Sequence, residues 1–340
     1  MKWVKRVGSA LVLLGAVLVF SIHSYLQAPS DISEEGLSFT INAGDSIRRV
    51  ASRLESLKLL SHPKLWVMYA RLSNKATIRA GEYRLPQGAS PSELLSLFRS
   101  GKVVSYTVTL LEGWTFREAL AHLHRQEKIN KTLLSLADDE VLEKLALSEK
   151  HPEGLFFPDT YQYEAGDSDR TVLLRAYKKM KKVLAAEWLL RAENLPYKNP
   201  YEALIMASII ERESGQVMER EKIAGVFVRR LALKMRLQTD PTVIYGLGKE
   251  YKGNLRRRHL KQPSPYNTYL IKGLPPTPIA LSGRKSIHGA LHPDSGTALY
   301  FVAKGDGSHY FSASLEEHNK AVRQYQIDQR SDNYRSAPER

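Results

Sequence analysis

The most distinctive pattern in the chain is an apolar run near its N-terminus. Basic residues occupy positions 2, 5 and 6, and the uncharged stretch that follows extends over 20 residues, 7–26. An α-helix of that length is about 30 Å long, which matches the hydrocarbon core of a bilayer. We therefore predict a transmembrane anchor over 7–26, with residues 1–6 in the cytoplasm because the positive charges precede the run. A cleaved signal peptide is the alternative, although the run is long for one and no clear cleavage pair precedes Ala28.

Three later segments share an alternating stretch, a Gly turn, a Ser or Thr, and then apolar residues at helical spacing: 39–54, 83–98 and 106–123. The alternation predicts a strand, and the spacing after it predicts a helix. Ser90 with Glu93, and Thr115 with Glu118, have the spacing of a capping box, whereas Ser46 offers a cap alone. We predict a small α+β module from these units. Ordinary strand–helix units that happen to share good caps are the plainer interpretation.

A break rich in proline and aromatic residues, 151–161, separates this region from a second one. Its prolines and glycine disfavour a helix, so we expect a rigid loop that either lines a sugar site or fills a seam between domains. Downstream, the pattern predicts a long helix over 168–193 and a β-hairpin over 299–312. The predicted organisation is a linker at 27–36, an α+β region at 37–150, a mainly helical domain at 151–325 and a polar tail at 326–340.

The helix predicted over 201–215 carries the candidate chemistry. It is apolar up to two carboxylates near its end, Glu211 and Glu213. At about 100° per residue, Glu213 lies close to Met206 and Ile209 on the helix surface and about 160° away from Glu211. A carboxyl on an apolar face loses hydration, which raises its pKa toward the value that a general acid needs near neutral pH. The alternative is that both glutamates pair with nearby basic side chains at the surface.

Composition and charge narrow the classes of partner and site. The chain has 340 residues, 43% hydrophobic and 25% charged, which excludes wholesale disorder and a polytopic membrane protein and favours two domains. It has no cysteine, which excludes disulfides, thiolate metal sites and cysteine nucleophiles. The histidines at 288, 292, 309 and 318 form no His-Glu-x-x-His pair, and we predict no metal site and no cofactor. The formal net charge of +14 predicts an anionic partner, and the anchor argues against nucleic acid.

Three stretches together resemble one known family. They are ASIIERES at 207–214, RLQTDPTVIYG at 236–246 and YNTY at 266–269. Their order is that of the motifs in lysozyme-like lytic transglycosylases. Their residues resemble those of the membrane-anchored endolytic murein transglycosylase family, also called YceG-like. The segment 40–47 separately resembles the start of a LysM module, which binds glycans. The resemblance implies an α+β chain with an N-terminal transmembrane helix, a LysM-like module and a mainly helical, lysozyme-like catalytic domain with a β-hairpin.

The resemblance also implies roles for individual residues. The family's acid is the glutamate before a hydroxyl residue, which corresponds to Glu213, with Ser214 as the hydroxyl residue. Gln238 corresponds to the second motif, and Tyr266 and Asn267 correspond to the third, so these residues and Ser214 would contact the sugar. The family's reaction cleaves the bond between N-acetylmuramic acid and N-acetylglucosamine without water. It leaves 1,6-anhydro ends and terminates nascent glycan strands.

Two alternatives to that reaction remain at this point. A hydrolytic muramidase would need a second carboxyl, for which the sequence offers four candidates: Glu211, Glu219, Glu221 and Asp240. A membrane-tethered scaffold that binds peptidoglycan without cleaving it would not need Glu213. The resemblance implies peptidoglycan strands as the substrate and glycan polymerases as partners. It further implies a single-pass protein of the bacterial inner membrane whose catalytic domain lies in the periplasm.

Overall fold

The computed structural model describes residues 2–213 and 216–328. The fold is mixed α+β, as predicted, with about 49% of the residues in helices and with small two-stranded sheets. By packing, the chain divides into two units. Unit 1 contains the chain up to Tyr106 together with Gln162–Asp167, and unit 2 contains Thr107–Tyr161 and the chain from Ser168 onward. The domain boundary predicted between residues 150 and 151 concerns independently folding domains, and it stays a prediction.

The N-terminal element is a long apolar helix, α1 (Lys2–Gln27). Its segment Arg6–Gln27 is long and apolar enough to cross a membrane, which is consistent with the anchor predicted over 7–26. The last turn of α1 belongs to the core of unit 1, because Leu26 is buried there and Tyr25 packs beside it.

Unit 1 alternates short strands with helices. Its elements are β1 (Leu37–Ile41), α2 (Ile47–Ser56), α3 (Pro63–Leu72), β2 (Gly81–Leu85) and α4 (Pro91–Ser100). Strands β1 and β2 pair antiparallel with Phe39 opposite Tyr83, and Tyr83, Trp66 and Phe98 are fully buried in the core. Helix α3 was not predicted from the sequence, because it begins after His62 without a side-chain cap and so lacks the signal that marks its neighbours.

Unit 2 is mainly helical. Two strands, β3 (Ser105–Thr109) and β4 (Thr160–Glu164), each contain residues of both units. The other elements of unit 2 are α5 (Phe116–His124), α6 (Asp138–Leu145), α7 (Asp169–Leu189), α8 (Pro200–Glu213), α9 (Arg220–Ala232), α10 (Asp240–Leu247), α11 (Arg257–Leu260), α12 (Arg284–Leu291), β5 (Tyr300–Ala303), β6 (His309–Ser312) and α13 (Leu315–Val322). Strand β3 pairs with β4. Strands β5 and β6 pair antiparallel with Phe301 opposite Phe311, which confirms the predicted hairpin.

The predicted helix caps are present. Ser46 accepts a hydrogen bond from the first turn of α2. Ser90 with Glu93 forms a complete capping box at α4, and Thr115 with Glu118 forms one at α5. Each cap satisfies backbone N–H groups that a helix start otherwise leaves without partners. These three strand–cap–helix units were therefore specified locally by the sequence.

Helix α8 lies at the centre of unit 2. All residues from Ala203 to Glu211 are buried, and α7, α9, α10 and α12 pack against this helix. The backbone N–H of Ile279 donates to Ser208 Oγ at 2.9 Å, so an irregular segment is fixed to the same helix. The helix is enclosed on every face until its last turn, where Arg212 and Glu213 become partly exposed.

Candidate active site

The two carboxylates at the end of α8 occupy different environments. Glu211 is 4% exposed and forms a buried ion pair, in which Arg220 Nη2 lies 2.9 Å from Glu211 Oε1. The backbone N–H of Gly283 donates to the other oxygen at 3.0 Å. Burial raises the pKa of Glu211, and the charge of Arg220 opposes that shift. Both oxygens of Glu211 are thus engaged inside the fold.

Glu213 instead faces the hydroxyl of Thr239. Thr239 Oγ1 donates a hydrogen bond to Glu213 Oε1. Loss of hydration raises the pKa of Glu213 to about 7; the Thr239 hydrogen bond lowers it, and the nearby charge of Asp240 raises it. A carboxyl with that pKa exchanges its proton near neutral pH, which is the property of a general acid and base. The expected elevation of the pKa of Glu213 is therefore present, with desolvation as its main cause.

Thr239 is held by a small network of buried hydroxyls. Its backbone N–H donates to Thr268 Oγ1 at 3.1 Å. Thr242 Oγ1 donates to Thr239 O at 2.8 Å and lies 2.8 Å from Thr268 Oγ1. Thr239, Thr242 and Thr268 are all buried. The network fixes the hydroxyl that meets Glu213, and it joins the second sequence motif to the third.

Glu213 lines a cleft of about 460 Å³. Other side chains that line this cleft include Gln238, Asp240, Tyr269, Tyr300 and His309. Tyr269 donates its hydroxyl to Asp240 Oδ1 at 2.6 Å, so the second carboxylate of the cleft has a fixed orientation. A cleft of this volume, with aromatic, polar and charged lining groups, is of the size that holds a sugar unit or two.

Gln238 is the one predicted sugar-contacting residue among the described residues that the structure brings to the cleft beside Glu213. Its backbone is left-handed, with φ at 53°, which places a sharp turn directly before α10. Arg230 stabilises this turn, because its Nη1 donates to Leu237 O at 2.8 Å. Gln238 is exposed, and its side-chain Oε1 accepts a hydrogen bond from Arg230 Nη1 at 3.4 Å.

Tyr266 and Asn267 lie outside the set of cleft-lining residues. The Asn267 amide donates to the carbonyl oxygens of Leu260 and Gln262 at 3.1 and 2.8 Å, and its oxygen accepts from Tyr269 N at 3.0 Å. Tyr266 forms a hydrogen bond with Thr277 Oγ1 at 2.8 Å. Both side chains therefore organise the loop that carries Tyr269, and their sugar contacts stay a prediction. Ser214 lies outside the described residues.

An acid–imidazole pair stands at the edge of the same cleft. His309 on β6 lines the cleft, and its Nδ1 lies 2.7 Å from Glu219 Oε2. The backbone N–H of His309 donates to Glu219 Oε1 at 3.0 Å. Glu219, one of the candidate second carboxyls, is thus bound to the hairpin by two contacts.

A third carboxyl with a raised pKa lies at Glu153. It is 2% exposed and accepts from Phe116 N at 2.9 Å and from the hydroxyl of Tyr245 at 3.1 Å. Burial raises the pKa of Glu153 to about 8. The next residue, Gly154, has φ at 77°, and a Cβ there would lie 2.4 Å from Pro278, so this turn requires glycine.

The loop that contains Glu153 was predicted to be rigid because it is rich in proline and aromatic residues and contains a glycine. Its Phe156 is fully buried and stacks on Phe116 with 5.3 Å between ring centroids. That ring belongs to the core, so it does not form a sugar platform. Glu153 was not identified from the sequence, because residues that enclose it, such as Phe116 and Tyr245, are distant along the chain.

The comparisons with known proteins agree with the motifs. A model of the YceG-like family matches residues 39–324. The chain belongs to the YceG-like family. A Bacillus subtilis (strain 168) protein named endolytic murein transglycosylase is 32% identical over 331 residues, which cover 92% of this chain and 91% of that protein. A Streptococcus pneumoniae protein of the same name is 26% identical over 327 residues, which cover 86% of this chain and 59% of its own length.

A solved structure is also similar. The crystal structure of a YceG-like protein from Listeria monocytogenes is 33% identical, with a TM-score of 0.55. The similarity covers 85% of this chain and 99% of the Listeria chain. The YceG-like resemblance inferred from the three motifs is thereby confirmed.

Several residues of this YceG-like cleft were not assigned a role from the sequence. Thr239 stands inside the second motif, of which Gln238 was assigned a sugar contact and Asp240 was a candidate second carboxyl. Thr268 and Tyr269 complete the third motif after the two residues that were chosen. The motifs do contain hydroxyl and acidic residues that can form hydrogen bonds with an acid from another part of the chain. Only the fold shows that Thr239 of the second motif contacts Glu213 and that Thr268 of the third motif contacts Thr239.

Proposed function

We propose that this YceG-like protein is a lytic transglycosylase that cleaves peptidoglycan strands internally. The observation that carries the proposal is Glu213, a carboxyl with a pKa raised to about 7 that lines a cleft of about 460 Å³. The names of the Bacillus and Streptococcus relatives support the choice of substrate and reaction. The substrate is the glycan strand, and the bond cleaved joins N-acetylmuramic acid to N-acetylglucosamine.

In the proposed reaction, protonated Glu213 gives its proton to the glycosidic oxygen as the bond from that oxygen to muramic C1 breaks. The C6 hydroxyl of the same muramic residue then attacks C1. Its proton returns to the Glu213 carboxylate, so the acid is regenerated and no water is consumed. The product ends in a 1,6-anhydro ring. The attacking group belongs to the substrate, so proximity replaces the second carboxyl that a hydrolase needs.

Thr239 is proposed to orient the acid. Its hydroxyl donates to Glu213 Oε1, which is therefore the oxygen without the proton when the carboxyl is neutral. The acidic proton is left on Oε2, where it can be delivered to the substrate. Because Thr239 is itself fixed by Thr268 and Thr242, the carboxyl is positioned before the substrate arrives.

Sugar contacts are proposed for the lining residues of the cleft. Gln238 and Tyr269 offer an amide and a phenol to sugar hydroxyls. Tyr266 and Asn267 are proposed to act on the sugar through the loop that they organise.

Hydrolysis is the second candidate reaction, and Asp240 is the observation that favours it. Among the cleft-lining residues, Asp240 is a second carboxylate besides Glu213, and Tyr269 fixes its position. A carboxylate in that place could activate a water molecule as a general base. Glu211 does not serve this purpose, because its two oxygens are engaged by Arg220 and Gly283.

The location of the enzyme is part of the proposal. Helix α1 would anchor the protein in the inner membrane with its N-terminus in the cytoplasm and the catalytic region in the periplasm. Unit 1 would supply a LysM-like, glycan-binding region, and unit 2 a lysozyme-like catalytic domain. Glycan polymerases that work at the same membrane are the proposed partners, and the reaction would terminate their nascent strands.

Mass analysis of the product ends tests the proposed reaction. Purified peptidoglycan is digested with the full chain in detergent, and the new ends of the released fragments are identified by mass. We expect 1,6-anhydro-muramic ends. Reducing ends, one water heavier, would show hydrolysis and transfer the second catalytic role to Asp240. Intact strands would contradict both reactions and leave the binding scaffold.

A further inference from the structure

Three potential metal ligands meet in unit 2, at residues that the proposed reaction does not use. Glu187 lies near the end of α7, His288 lies on α12, and His292 follows directly after α12. One ligand atom from each lies within 4.8 Å of the other two. None of the three lines the cleft of Glu213.

The backbone presents these side chains together. His288 and His292 are four residues apart, so they share one face of the helix end, and their rings stack with 4.2 Å between centroids. Glu187 Oε2 lies 3.0 Å from His288 Nδ1. The carboxylate is fixed because its residue is 7% exposed, whereas His288 is open to solvent. The site thus combines a rigid anionic ligand with an accessible imidazole.

The donor set selects a class of ion. Two imidazoles and one carboxylate, with a remaining position open to water, suit zinc and its neighbours among the divalent transition metals. Magnesium and calcium prefer oxygen ligands and bind imidazole poorly.

The carboxylate of Glu187 already forms an ion pair with a side chain of the protein itself. Arg284 Nη1 lies 2.8 Å from Glu187 Oε1, the oxygen that does not face His288. This guanidinium neutralises the buried carboxylate in the absence of metal and would compete with a bound ion. The side chain of Arg284 is exposed, so it can swing into solvent when an ion replaces it.

We propose that Glu187, His288 and His292 bind one divalent transition-metal ion. The ion would join the end of α7 to the end of α12, two helices that pack against each other and against α8. The backbones already approach there, since Ala192 N donates to Leu291 O at 2.9 Å. Metal binding would therefore stabilise the helices around the one that carries Glu213. The role is structural and separate from the proposed chemistry.

Calorimetric titration of the untagged full chain in detergent with zinc chloride tests the site. We expect one ion per chain, and an affinity at least about 10-fold weaker in His288→Gln and in His292→Gln. His62→Gln, a change of an exposed histidine in unit 1, should leave the affinity unchanged. Magnesium should not bind. Equal zinc affinity in all variants, or a loss in His62→Gln, would overturn the proposal.

Two further measurements guard against misfolded variants. Bound Co²⁺ should give visible absorption bands typical of imidazole ligation, and these should disappear below about pH 6, where histidine protonates. Arg284→Gln should bind zinc more tightly than the wild type, because the competing cation is gone. Weaker binding in Arg284→Gln, or the absence of the cobalt bands in folded wild-type protein, would contradict the site.

Discussion

The end of α8 presents two glutamates, two residues apart, in opposite situations. Glu211 is enclosed and paired with a guanidinium, whereas Glu213 meets a neutral hydroxyl at the edge of a cleft. Both carboxyls lose hydration, and desolvation raises the pKa of both. Arg220 favours the charged form of Glu211 and is bound to one of its carboxylate oxygens. Thr239 is uncharged, so Glu213 can still hold a proton. Burial alone does not make a catalytic acid; the charge and accessibility of the partner decide.

The largest expected effect comes from removing the acid. Glu213→Gln should lower the rate of strand cleavage by roughly 10²–10⁴-fold, the usual contribution of a general acid. The fold should persist, because glutamine still accepts the Thr239 hydrogen bond. The matched control is Glu221→Gln, an exposed carboxylate outside the cleft, which should retain the wild-type rate. Cleavage by Glu213→Gln at the wild-type rate would remove Glu213 from the reaction.

The buried pair should matter for stability. Arg220→Met leaves Glu211 without its cation, and removal of one partner from such a pair costs roughly 3–5 kcal/mol in the free energy of unfolding. The double variant Glu211→Gln with Arg220→Met should recover most of that loss. Urea unfolding followed by circular dichroism measures both. Additive losses in the double variant would mean that the two side chains do not act as a pair.

Glu153 tests how a buried carboxyl without a cationic partner affects the stability of the fold. Its pKa is raised to about 8, so the folded protein keeps a proton that the unfolded chain releases near pH 4.5. Stability should therefore be full below about pH 4.5 and fall as the pH rises toward 8, by at most roughly 1.4 kcal/mol per pH unit. Glu153→Gln should flatten this decline in urea unfolding. An unchanged slope would assign the decline to other groups, with Glu213 as the next candidate.

Local features of the fold were predictable from the sequence. The capping pairs at Ser90 and Thr115 and the hairpin at the C-terminal end lie within short segments, so their signals are complete in the sequence. Helix α3 was missed because it lacks a side-chain cap.

The site was predicted in part, for a physical reason. The helical wheel placed Glu213 among apolar residues and Glu211 on the opposite side of the helix. Because α8 is buried on all sides, the wheel could not show that Glu211 is also buried. The partners of the two glutamates, Thr239 and Arg220, come from other elements. Contacts of this kind depend on tertiary packing, which no local pattern encodes.

The pH dependence of kcat/KM, measured as the rate of release of strand ends, tests the role of Glu213 most directly. In the wild type we expect the rate to fall above a pKa of about 7, where Glu213 loses its proton. Thr239→Val removes a hydrogen bond that lowers this pKa, so the fall should move to higher pH. Asp240→Asn removes a charge that raises it, so the fall should move to lower pH. A fall that stays at the same pH in both variants would show that Glu213 is not the proton donor.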